Sequence, residues 1–93
     1  MRNRDETILT VAEIVRDSAA MNEAALAGDF DEARFRVQLI VAKADAAGYL
    51  DVVLAAAYTM DRLGPMGSTP RDGYGVGMLR VAGELDKIGF DPL

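Results

Sequence analysis

The chain contains no cysteine, no histidine and no tryptophan. Without cysteine there are neither disulfides nor thiolate metal sites. Without histidine the commonest general base and the commonest metal ligand are both missing. Aromatic residues make up only 6% of the 93. No stretch is apolar for long enough to span a bilayer, and the opening MRNRDETILT lacks the apolar run of a signal peptide. A cytoplasmic protein that does not enter membranes is therefore expected. Cations are also short: 10 Lys and Arg stand against 15 Asp and Glu, a formal net charge of -5. Nucleic-acid binding is dominated by cations on phosphates, so that balance argues against it. Basic partners are weakly favoured, and solubility accounts for the charge equally well.

What remains is 51% apolar and rich in alanine. Such a composition suits closely approaching helices, since alanine leads the helix scale and is depleted in strands. Ninety-three residues make one domain, 1–93, with no room for a second. Alanine richness and arginine in preference to lysine suggest a bacterial source.

Four helices are expected. The first runs over about 5–27, with Ile8, Val11, Ala12, Val15 and Ala19 at helical spacing. Asn3 with Glu6 forms a candidate capping box, and Gly28 is the stop. The second covers about 29–47, capped by Asp29 and ended by Gly48. The third spans 50–63 and stops at Gly64-Pro65. GPMGSTPRDG is a turn-rich loop over 64–73. The fourth helix, about 70–88, has the start signal Thr69-Pro70. Tyr74, Met78, Val81, Ala82, Leu85 and Ile88 form its stripe. Short corners make neighbours antiparallel, which gives an all-α, small four-helix up-down bundle-like domain. AGDFD at 27–31 recurs as AGYLD at 47–51. These corners resemble the Gly-x-aromatic turns of tetratricopeptide-type repeats. The resemblance covers the turns only, because the period is 20 rather than the ~34 of that family, and its tryptophan is absent.

The second helix carries two apolar stripes. Phe30, Ala33, Val37, Ile40, Val41 and Ala44 form one; Phe35, Leu39, Ala42 and Ala46 form the other, nearly opposite. A peripheral helix needs one stripe. Either the remaining helices wrap this one, or Phe35, Leu39, Ala42 and Ala46, flanked by Arg36 and Lys43, meet a second chain. The third helix is apolar around most of its circumference, with only Asp51, Thr59 and Arg62 as a polar edge, and is expected to be largely buried. Asp61 falls within its apolar arc. Held dry it would be a general base; in the last turn it is instead expected to be hydrated or paired with an arginine.

DGYGVGM is the remaining motif of interest. Met78 stands where a dinucleotide fingerprint needs its third glycine, and no strand precedes it, so that reading fails. Gly73 and Gly77 are four apart and share a face, which suits close backbone packing. The alternative is an anion held at the helix start by Arg71, Gly73 and Gly75. Asp29 and Asp31 open like a calcium loop, but glycine is missing at the sixth position and the pattern is helical. No metal ligand, cofactor site or catalytic residue is assigned.

The expected function is therefore a non-catalytic helical interaction module, a regulator, adaptor or inhibitor. Its partner is another protein or a second copy of the chain. One alternative is an acidic immunity-type inhibitor of a basic toxin enzyme, using Glu23, Asp29, Asp31 and Glu32. Others are the small-molecule or anion site at the glycine-rich segment, and a small enzyme or ligand carrier using Asp61 and Tyr74 between the third and fourth helices.

Overall fold

The computed structural model describes residues 4–89. They form four helices: α1 (Arg4–Leu26), α2 (Phe30–Ala47), α3 (Leu50–Leu63) and α4 (Tyr74–Ile88). No strand occurs among the described residues. Asn3, and with it the candidate capping box, lies outside them.

The recurring AGxxD corner is one helix stop used twice. At the first, Gly28 takes φ 76 and the Asp29 N–H donates to Ala24 O at 2.8 Å. At the second, Gly48 takes φ 80 and the Tyr49 N–H donates to Ala44 O at 2.9 Å. Both bonds span the end of a helix and occupy carbonyls that would otherwise lack donors. Asp29 then caps α2, its Oδ1 accepting from the Glu32 N–H at 3.2 Å.

The fourth helix starts later than Thr69-Pro70 suggests. Residues 64–73 are turn and loop, because their backbone is claimed by α3: the Arg71 N–H donates to Arg62 O at 2.6 Å. Gly73, at φ 99, reverses the chain into Tyr74.

Successive helices pack side by side, and α4 closes the ring on α1 through the loosest of the four seams. Ile14, Met21, Val37, Ile40, Val52 and Val81 fill the centre, all fully buried. Each contributes about 1.5–3 kcal/mol relative to exposure. The α4 stripe is as expected, with Met78, Val81 and Leu85 buried. Its close approach to α3 occurs at Gly77, where a Cβ would overlap Thr59 Oγ1 and lie 3.0 Å from Thr59 Cα.

Two expectations need correction. In α1 the buried line is Val11, Ile14, Ser18, Met21 and Ala24, not the line from Ile8 to Ala19; Ile8, Ala12, Val15 and Ala19 are exposed. Ile14 and Met21 take the core, while Ile8, of the same size as Ile14, stays outside. In α3, Leu50 and Leu54 are 66% and 58% exposed, whereas the supposedly polar Thr59 is fully buried, its hydroxyl donating to Ala55 O at 2.9 Å. The helix buries Val52, Ala55, Ala56, Thr59 and Leu63 and turns the rest of its apolar circumference outward.

Candidate functional site: the outward face of α2

Helix α2 arranges its faces in an unusual order. Ala33, Val37, Ile40 and Ala44 point into the core. The flank toward α1 carries Arg36 and Lys43, which converge on Asp17, a carboxylate only 4% exposed. Lys43 Nζ lies 2.7 Å from Asp17 Oδ2, and Arg36 Nη1 lies 3.2 Å from Oδ1. Arg36 Nε also donates to Glu32 Oε2 at 2.8 Å. These bonds, that to Glu32 first and that to Asp17 second, push the Arg36 pKa up. A buried carboxylate demands such compensation, since an isolated charge in a core is strongly disfavoured.

The flank toward α3 carries Arg34, also only 4% exposed. Its Nη2 donates to Leu63 O at 2.6 Å and Ser68 O at 2.7 Å. Its Nε reaches Leu63 O at 3.2 Å and Gly64 O at 3.1 Å. Nη1 donates to Asp31 Oδ1 at 2.6 Å, and the same oxygen accepts from the Gly67 N–H at 2.9 Å. A cation thus sits on the terminal carbonyls of α3, where the helix dipole favours it, and ties the following loop to α2. The Gly67 N–H and then Arg34 hold the Asp31 carboxyl below the usual carboxylate range.

With Arg34, Arg36 and Lys43 all held within the fold, the face between the two flanks is apolar and points out. Phe35 is 46% exposed, Ala42 and Ala46 are exposed, and Leu39 is half-buried. Arg36 lies over the Phe35 ring at 5.8 Å from its centroid. Arg36 and Lys43 do border this face as expected, but as part of the contact with α1 rather than as a solvated rim.

The surface continues onto α3. Ala46 and Ala42 precede the Gly48–Tyr49 corner, and Leu50 and Leu54 follow it on the antiparallel neighbour. Beyond them, Gln38, Ala57, Met60, Asp61, Pro65 and Met66 line an open groove of about 450 Å³. Leu50, Leu54 and Ala57 were missed as candidates. Their signal was present, because an α3 apolar nearly all round carries more apolar surface than one side of a small ring can cover.

The other candidates are dispersed. Asp61 is 62% exposed and lies 3.5 Å from Arg62 and 3.6 Å from Arg71, the hydrated and paired arrangement. Tyr74 packs edge-on against Phe30, 5.5 Å between centroids, and does not line the groove that Asp61 lines. Arg71 therefore faces Asp61. Gly73 occupies the turn into α4, its N-cap, and Gly75 has open space around it. Of the acidic set, Asp29 caps α2, Asp31 holds Arg34 and Gly67, and Glu32 holds Arg36, while Glu23 is exposed on α1. Among the described residues no group of three or more acidic side chains is placed to hold a metal ion, and no helix is long and apolar enough to cross a membrane.

Set against known protein families, curated proteins and solved structures, the chain matches none.

Proposed function

We propose that the chain is a non-catalytic helical interaction module that binds a protein through the outward face of α2 and the adjoining face of α3. The observation that carries this reading is the second apolar face of α2, with cations drawn onto its neighbours along the flanks and an aromatic anchor among alanines toward solvent. A surface helix ordinarily carries one apolar stripe, toward the core, and a polar face opposite it. Large apolar side chains framed by small ones suit a second helix, because alanines permit close approach and the anchors fill the gaps. A regulator, adaptor or inhibitor acting through such a contact needs no nucleophile or general base. Binding through an apolar face predicts weak salt dependence, whereas an acidic inhibitor steered to a basic enzyme would associate far more slowly at high salt.

The test is a photo-reactive amino acid placed in vivo at position 42, with position 16 on the exposed side of α1 as control. A discrete adduct from position 42, with the chain itself or with another protein, is expected to disappear on Phe35→Asp. Circular dichroism of that variant should stay unchanged, since Phe35 is half out of the fold. Equal labelling from positions 42 and 16 would overturn the proposal.

A further inference from the structure

We infer that the occupant of this face is a second copy of the chain, its α2 antiparallel to the first about a two-fold axis level with the Ile40–Val41 peptide. The inference rests on the interaction-face reading above and names its partner. Phe35, Leu39, Ala42 and Ala46 follow a 4-3-4 spacing, the seam that one helix offers another in coiled-coil-like packing. In an antiparallel pair about that axis, Phe35 stands level with Ala46 of the second copy, and Leu39 stands level with its Ala42. One symmetry operation thus places each bulky side chain on an alanine. A parallel pair would set Phe35 on Phe35 and Ala46 on Ala46, crowding one end and leaving a void at the other.

The same operation brings the α1 flanks of the two copies together. Arg36 and Lys43 then approach their counterparts, but those cations already lie 2.7–3.7 Å from Asp17, Glu32 and Glu13 within each chain. On the other flank Gln38 meets Asp45 of the second copy, an amide against a carboxylate that makes no ion pair among the described residues. The α3 helices of both copies fall on this flank, so Leu50 and Leu54 extend the contact.

Helix α3 cannot itself be the centre. Its outward line is Leu50, Leu54, Ala57 and Asp61, and the equivalent register would press Leu50 against Asp61. A stable interface buries about 800 Å² per partner, a small fraction of the 5788 Å² of this chain. The outward faces of α2 and α3, 18 and 14 residues long, project about 480 Å² together at ~1.5 Å rise per residue and ~10 Å width per helix, which places the pair at the smaller end of specific interfaces.

The absence of cysteine makes the register directly testable. Ala46→Cys and Phe35→Cys are prepared separately, then oxidised mildly alone and as an equimolar mixture. The axis places identical positions about 16 Å apart along α2, so each variant alone should stay uncrosslinked and the mixture should give the mixed disulfide. Sedimentation equilibrium of the unmodified chain should give twice 10.0 kDa. Disulfides from each variant alone, without preference for the mixture, would overturn the antiparallel register. A 10.0 kDa species at tenth-millimolar concentration would overturn self-pairing altogether. That second outcome leaves the interaction face standing, to be decided by the adducts from position 42.

Discussion

Gly77 and Gly83 lie on one helix, and their surroundings give them opposite tolerances. Gly77 is buried with Thr59 directly above it, backbone included, while a Cβ at Gly83 meets nothing within 4 Å. Glycine inside a helix is worse than alanine by about 0.8–1 kcal/mol. Gly83→Ala should therefore stabilise the fold by roughly 0.5–1 kcal/mol. Gly77→Ala gains the same propensity but forces α3 and α4 apart, and overpacking of that kind costs about 1–3 kcal/mol; a net loss of up to about 2 kcal/mol is expected. Urea midpoints at constant m-value would read both, and equal stabilisation would mean the helices are not in that contact. The four-residue spacing of Gly73 and Gly77 already pointed to a close approach. Both lie against α3, but only Gly77 meets its backbone, at Thr59 Cα; Gly73 meets the side chains of Tyr58 and Arg62 and takes the positive φ of the turn. Arg34 and Asp17 had no such signal. Their partners lie 29 and 26 residues away for the Leu63 and Lys43 bonds, a separation no local pattern encodes.

Elements were legible where one apolar stripe had no rival, as in α4. In α1 the expected stripe shares only Val11 with the buried line, because the face that is covered depends on where α2 and α4 pack, which the α1 pattern does not encode. The loop after α3 was legible as a loop, but its anchor was not. Arg34→Met keeps the apolar stem and removes the guanidinium. It leaves the carbonyls of Leu63 and Ser68 without their donor, a loss of about 2–4 kcal/mol. Most of that belongs to the carbonyl bonds, because the Asp31 side of the cluster is exposed. Amide exchange over residues 64–73 should rise well before that of α1. The same cluster responds to acid. Hydrogen bonds from Gly67 and Arg34 depress the folded pKa of Asp31. Its contribution is therefore complete above the ordinary aspartate value of about 3.9, and is lost as pH falls through the lower folded value. Loop protection should be flat from neutrality to about pH 5 and weaken below about pH 4. Asp31→Asn should remove that acid step; an unchanged step would place its origin elsewhere.

At the scale of the molecule, a ring of four helices has an inside and an outside, and α2 and α3 carry apolar residues on both. Duplication of the apolar surface was readable from the sequence of α2. Its extension over α3 was signalled by a helix apolar nearly all round, but the pattern did not say which of those residues, Leu50 and Leu54 among them, would face outward. If a second copy covers that outside, folding and association are linked, and stability depends on chain concentration. Each tenfold increase in concentration then adds about 0.7 kcal/mol per chain, half of the ~1.4 kcal/mol that a factor of ten represents. For a domain of this size that moves the melting temperature by roughly 3–5 °C. Calorimetric or dichroic melts across two decades of concentration should show this slope for the unmodified chain. Phe35→Asp should show none, melting at one temperature throughout, because an isolated ring has nothing to dissociate. A concentration-independent melt of the unmodified chain would leave Phe35, Leu50 and Leu54 uncovered by any copy of itself, and the face would then belong to a different protein.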